Sequence, residues 1–161
     1  MIVSAEYLRT VIDYEPDTGI FRWAVDRNSS TKKGMMAGSI DKDGYVRISI
    51  EGKIYRAGRL AYCWMTGSWP SSEIDHKNLV KDDDRWINLR VATRSQNQAN
   101  RRGWGRFLKG VSFDPRRNKY VAAIKFAGRC KTIGRFNSEV EAHAAYVGAA
   151  KKVHSEFARA N

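Results

Sequence analysis

Asp75 and His76 stand side by side in the stretch "IDHKNLVKDDDRWINLRVATRSQNQANRR", residues 74 to 102, and His76 is one of only three histidines in 161 residues. Asn88, Asn97 and Asn100 follow in a segment where poor core formers and poor helix formers need a reason to be present. Such a set suits hydrolysis of a phosphodiester, which needs a nucleophilic water and neutralisation of the charge on the leaving oxygen. A neutral histidine takes a proton from water near pH 7. A hard divalent cation held by oxygen ligands covers the developing charge. Adjacent positions on a strand point to opposite sides, so Asp75 is suited to metal ligation while His76 works as a base. An asparagine carbonyl is a fitting neutral second ligand, and a further asparagine can hold the histidine or its loop.

The elements that would carry these residues read as a ββα unit. Residues 74–76 form a short strand, "KNLVKDDDRWI" a loop, "NLRVAT" a second strand begun by Asn88, and "RSQNQANRR" a helix opened by Thr93 or Ser95. Arg90 is expected to fix the strand or touch phosphate, and Trp86 and Trp104 to pack. Upstream, the first seventy residues look β-rich. "YEPDTGIF" supplies a turn, and "GYVRISIEGKIYRAG" alternates as a hairpin turning at Glu51-Gly52. "DKDGY" is a turn and fails as a calcium loop, because the sixth position is Val46 and the twelfth Gly52. "RLAYCWMTG" reads as a short helix stopped by Gly67.

Beyond a glycine-broken basic linker, residues 101–109, three strands and a helix are expected. The helix is opened by a Ser138–Glu141 capping box and carries Ala142, Tyr146, Ala149, Val153 and Phe157 along one face. His143 and His154 on it are surface or packing residues. Cys63 and Cys130 lie far apart among apolar neighbours and are expected as buried, reduced thiols rather than zinc ligands.

Charge is uneven. Residues 1–70 hold ten Lys/Arg against eight Asp/Glu, residues 71–100 five against five, and residues 101–161 fourteen against four, within a net of +12. The surplus lies in the C-terminal third, which points to a polyanion bound there. Arg116, Arg117, Lys119, Lys125, Arg129, Lys131 and Arg135 all fall in its strands and turns, and Arg101 and Arg102 in the linker. A sheet backed by one helix can enter the major groove with such residues on its free face.

Two resemblances sharpen these expectations. "IDH", twelve residues to Asn88 of "NLR" and nine more to Asn97, resembles the HNH (ββα-metal) nucleases, in particular phage and intron-encoded nicking or homing endonucleases. "RLAY…TGSWP" leading into "DH" looks like the approach segment of such proteins. The resemblance implies His76 as general base, Asn88 as its positioning residue, and Asp75 with Asn97 as Mg²⁺ or Mn²⁺ ligands, with Asn100 as the fallback. The chain departs from that pattern at Gly58, where a histidine is common, at Asp84, an asparagine position, and at Asn97 where part of the family has histidine. The segment from "KGVSF" through "IGRF" to "EAHAAYVGAA" is similar to the APETALA-type (ethylene-response-factor-like) DNA-binding domain, with Tyr120 where tryptophan is common.

The expected fold is α+β: a β-rich N-terminal segment leading into a ββα-metal motif, then a three-stranded antiparallel sheet on one helix. The expected domains are a nuclease at 1–100 with its core about 73–102, the linker 101–109, and a DNA-binding domain at 110–161. The expected function is a metal-dependent endonuclease nicking double-stranded DNA, acting as a monomer without a membrane, in the cytoplasm (a bacterial host's, were the gene phage-borne). A non-catalytic DNA-binding regulator on a degenerate HNH scaffold is the alternative. RNA fits less well, since its deep, narrow major groove does not admit a sheet.

Overall fold

The computed structural model describes residues 3–100, 106–126, 128–154, 157 and 158. Arg101, Arg102 and Trp104 lie outside the described residues. The chain divides into two compact units, residues 1–91 and 92–161, and the α+β class is observed.

The first unit opens with a helix that the β-rich reading does not anticipate, α1 (Ala5–Val11), capped by the Ser4 side chain on the Tyr7 N–H. Seven residues are too few for a helical period to stand out. Strands β1 (Ile12–Glu15) and β2 (Ile20–Trp23) form the expected antiparallel pair around the Pro-Asp-Thr-Gly turn. Next come β3 (Ser39–Ile40), β4 (Val46–Ile50) and β5 (Lys53–Arg56) in one antiparallel sheet. Glu51 and Gly52 both take positive φ, +49° and +72°, the conformation a two-residue hairpin turn demands. "DKDGY" is a turn held by Asp41, whose Oδ1 accepts from the Asp43 and Tyr45 N–H groups.

Helix α2 (Ala57–Thr66) begins two residues before the expected Arg59 and ends on Gly67 in the left-handed conformation. Its Leu60, Ala61 and Cys63 are fully buried with Leu8, Ile12, Ile48 and Ile50. This core supports β6 (Glu73–His76) and β7 (Leu89–Ala92), which pair as a two-stranded sheet. Asn88 does not begin β7; it closes a short 3₁₀ turn, Trp86–Asn88, because its amide is committed to the preceding loop.

In the second unit, α3 (Arg94–Asn100) is opened by Thr93 in a capping box with Gln96. Strands β8 (Val111–Asp114), β9 (Lys119–Phe126) and β10 (Arg129–Phe136) form an antiparallel sheet in the order β10-β9-β8. Helix α4 (Glu139–His154) carries the Ser138–Glu141 capping box. The sheet buries Ala122 and Ile124 with Ala142, Tyr146 and Ala150. Ala150 and His154 are more buried on α4 than the expected Ala149 and Val153, a rotation of one position. His154 thus packs, and His143 Nδ1 lies 2.9 Å from the Lys109 carbonyl oxygen.

The thiols divide. Cys63 is buried as expected, but Cys130 is exposed, because it sits opposite Lys125 on the open side of edge strand β10. Among the described residues no helix is long and apolar enough to cross a membrane.

Candidate active site

Strand β6 delivers Asp75 and His76 into the interior of the first unit, where they are 4% and 7% exposed. Burial of two ionisable neighbours is costly unless each finds a partner. Asp75 Oδ2 receives both Nε and Nη2 of Arg90 on β7, each at 2.9 Å. His76 Nε2 lies 3.0 Å from Oδ1 of Asp84, which is 2% exposed. Arg90 therefore fixes the strand, one of its two expected roles. Burial pushes the Asp84 carboxyl above the ordinary carboxylate value, while the hydrogen bond and charge of His76 draw it back down.

The loop between β6 and β7 is closed from inside. Asn88 Oδ1 accepts from the Asn78 N–H at 3.0 Å, and its Nδ2 donates to the Asp83 carbonyl at 2.7 Å. Asn88 thus reaches His76 through the loop carrying Asp84 rather than by touching the ring. Asp83 is gripped by Arg85 Nε and Nη2 at 2.7 and 2.6 Å, which holds its carboxyl down at about 2. From the other side, the Tyr14 hydroxyl donates to the Asp84 carbonyl at 2.6 Å, and the Trp86 N–H to the Pro16 carbonyl at 2.9 Å. Burial, and then the Asp84 charge, raises the Tyr14 hydroxyl well above its usual range.

An aromatic ring borders His76, and two cations lie over that ring. The Tyr45 ring centroid is 5.9 Å from that of His76. Arg56 lies over the Tyr45 ring at 4.0 Å and Lys81 Nζ at 5.2 Å. Spacing in the sequence offers no signal for Tyr45, Arg56 or Lys81, since they come from a hairpin and a loop. Residues 55–99 match the family model for HNH endonucleases. A solved chain titled "DNA binding and cleavage by the HNH homing endonuclease I-HmuI" is similar at 26% identity and a TM-score of 0.45, over 61% of this chain and 55% of that one. The present chain thus matches little more than half the length of that relative. No curated protein matches.

The matched segment brings Asp75, His76 and Asn88 together with Asp84, which spacing alone did not select. Asn97 and Asn100 are carried by α3, in the second unit. The Asn97 N–H donates to the Thr93 carbonyl at 2.9 Å, and Asn100 is buried. Among the described residues, no three His, Cys, Asp or Glu side chains are grouped to hold a metal. A zinc-type site is not what the donors suit. As donor types, a carboxylate and asparagine carbonyls are hard oxygen ligands of the kind that suit Mg²⁺ or Mn²⁺, ions that keep several waters of their own; the Asp75 carboxylate is engaged by Arg90.

In the second unit, strand register sorts the basic residues. Lys119, Lys125 and Arg135 alternate with, or pair beside, residues away from α4 and share the open face with Val121, Ala123 and Thr132. Arg129 and Lys131 pair with Phe126 and Ile124 and emerge at the β10 edge on the helix side. Arg116 and Arg117 are exposed in the β8–β9 turn, where Arg117 meets Asp114 at 3.2 Å. Lys119 bonds Asn137.

Proposed function

We propose that the protein is a metal-dependent DNA endonuclease that nicks one strand. The observation that carries this reading is the buried Asp75–His76 pair of β6, in a segment matching HNH endonucleases, with His76 held by Asp84. His76 is the general base and takes the proton of an attacking water. As the new P–O bond forms, the P–O bond to the leaving strand end breaks, and the leaving oxygen gains a proton from solvent. Asn88 holds the loop behind the base. Asp75 with Asn97 (Asn100 as fallback) would hold Mg²⁺ or Mn²⁺. When bound, such an ion supplies charge neutralisation at the leaving oxygen. Arg56 and Lys81 place positive charge on the Tyr45 ring, which neighbours His76, and suit an approaching phosphate.

Residues 1–100 form the nuclease domain in this reading. Residues 110–161 form an APETALA-type module that grips double-stranded DNA with Arg116, Arg117, Lys119, Lys125, Arg129, Lys131 and Arg135, joined by linker residues Arg101 and Arg102. One base and one metal set per chain make a monomer a nicking enzyme, acting in the cytoplasm (a bacterial host's, were the gene phage-borne). The test is conversion of supercoiled plasmid to open circle with Mg²⁺, Mn²⁺ or EDTA, beside His76→Ala. Metal-dependent nicking lost in His76→Ala supports the enzyme. Intact plasmid with every metal, with DNA still retarded on a gel, makes the protein a binding regulator instead.

A further inference from the structure

Gly58 and Asp84, two positions where the sequence departs from the related HNH pattern, meet in space beside His76. A Cβ placed on Gly58 would lie 3.0 Å from Asp84 Oδ1 and 3.3 Å from Ile74 Cγ2. The room for a side chain in the first turn of α2 is therefore taken by the Asp84 carboxylate. That carboxylate is an expensive thing to bury. Its Oδ1 faces His76, and its Oδ2 is enclosed with no hydrogen-bond partner among the described residues. Nor does the loop need it, because the loop is tied down through main-chain groups: Tyr14 on the Asp84 carbonyl, Asn88 on the Asp83 carbonyl, Trp86 on Pro16. The side-chain contact that the buried carboxylate does make is with the imidazole. The positive end of α2, whose N-cap Arg56 makes no side-chain cap bond, lies nearby and favours an anion.

We infer that Asp84 is the positioning residue of the base: its carboxylate accepts a hydrogen bond from His76 Nε2–H, fixing the ring's orientation and tautomer so that Nδ1 is the accepting nitrogen, and Gly58 stays bare to admit it. In a neutral imidazole one nitrogen donates and the other accepts, so a carboxylate at Nε2 decides which is which. This rests on the nuclease reading above.

The experiment uses the full chain with Asp84→Ala, Gly58→Ala and the double variant. Single-turnover nicking at saturating protein is measured beside DNA affinity, melting temperature and the ¹⁵N spectrum of His76. Asp84→Ala is expected to slow nicking about 100-fold with affinity within about twofold, as for loss of an orienting partner. Its His76 signals should leave the Nε2–H tautomer. Gly58→Ala keeps the fold, since alanine suits a helix better, and slows nicking about tenfold by displacing the carboxylate. Because the methyl acts only through Asp84, the double variant should be no slower than Asp84→Ala. A nicking rate for Asp84→Ala within about threefold of the parent, or losses that add in the double variant, overturns the inference. Should the parent protein itself fail to nick, the nuclease reading falls, and the His76 spectrum still decides whether Asp84 orients the ring.

Discussion

Residues 1–91 enclose Asp75, His76, Asp84 and Asn88 beneath a core of large side chains, whereas residues 92–161 keep Lys125, Arg129, Lys131 and Arg135 in solvent over a small, alanine-rich core. Under the proposed function, the difference follows from what each group of residues would do. A base must be held in one orientation, which takes close packing and a fixed hydrogen-bond partner for its ring. A phosphate grip works best with long, hydrated side chains that adjust to the backbone they meet. Three close-packed alanines, Ala122, Ala142 and Ala150, let α4 approach the sheet, and that suffices for a platform.

Four measurements would break or sharpen this contrast. The largest effect belongs to His76→Ala, which should lower nicking by about 10²–10⁴-fold, the usual weight of a general base, while DNA affinity and its salt dependence stay put. Equal loss of affinity would mean that the two tasks are not divided between the units. Next, Leu60→Ala, at a fully buried site, should destabilise the first unit by about 2–5 kcal/mol. Hydrogen exchange would show the loss in residues 1–91; uniform loss along the chain would count against separate cores. Third, Lys125→Ala with Arg135→Ala should weaken DNA binding and flatten the log–log salt slope by about two, leaving the rate at saturating DNA unchanged. An unaltered slope removes the open sheet face from the interface.

The smallest effect is on acid tolerance. Arg85 lowers the folded-state value of Asp83 from 3.8 to about 2. A lowered carboxyl stabilises the fold fully above its unfolded value and loses that contribution as pH falls through the folded one. Amide protection of residues 77–88 should accordingly persist above pH 3.8 and fade towards pH 2. Fading already near pH 5 would mean that another group governs this loop.

Much of this was legible in the sequence because it is local. The Glu51-Gly52 turn, the Ser138–Glu141 capping box, the Gly67 stop and the placing of Asp75 and His76 at the end of a strand all depend on neighbours a few residues away. What escaped depends on closure over distance. Asp84 reads as a departure from a motif until the loop folds back and sets it on His76. Arg90 finds Asp75 only when β6 pairs with β7. Cys130 is expected to be buried, yet it stands between Arg129 and Lys131 on the open side of an edge strand, which leaves it in water.

The turn between β1 and β2 has a consequence for how the proposed nuclease would be inherited. Gly19, at φ +76°, presses so closely on the chain at residues 84–85 that a Cβ there would lie 2.6 Å from both the Asp84 carbonyl carbon and the Arg85 nitrogen. Pro16 and Tyr14 hold the same stretch. The loop behind His76 is thus shaped by residues some seventy positions upstream, outside the segment 55–99 that matches the family. Recombination that moved only residues 55–99 into another gene would carry the proposed catalytic residues without the brace that shapes their loop. Under the proposed function the heritable module is the whole of residues 1–100, and a side chain at position 19 would disturb the loop behind the base.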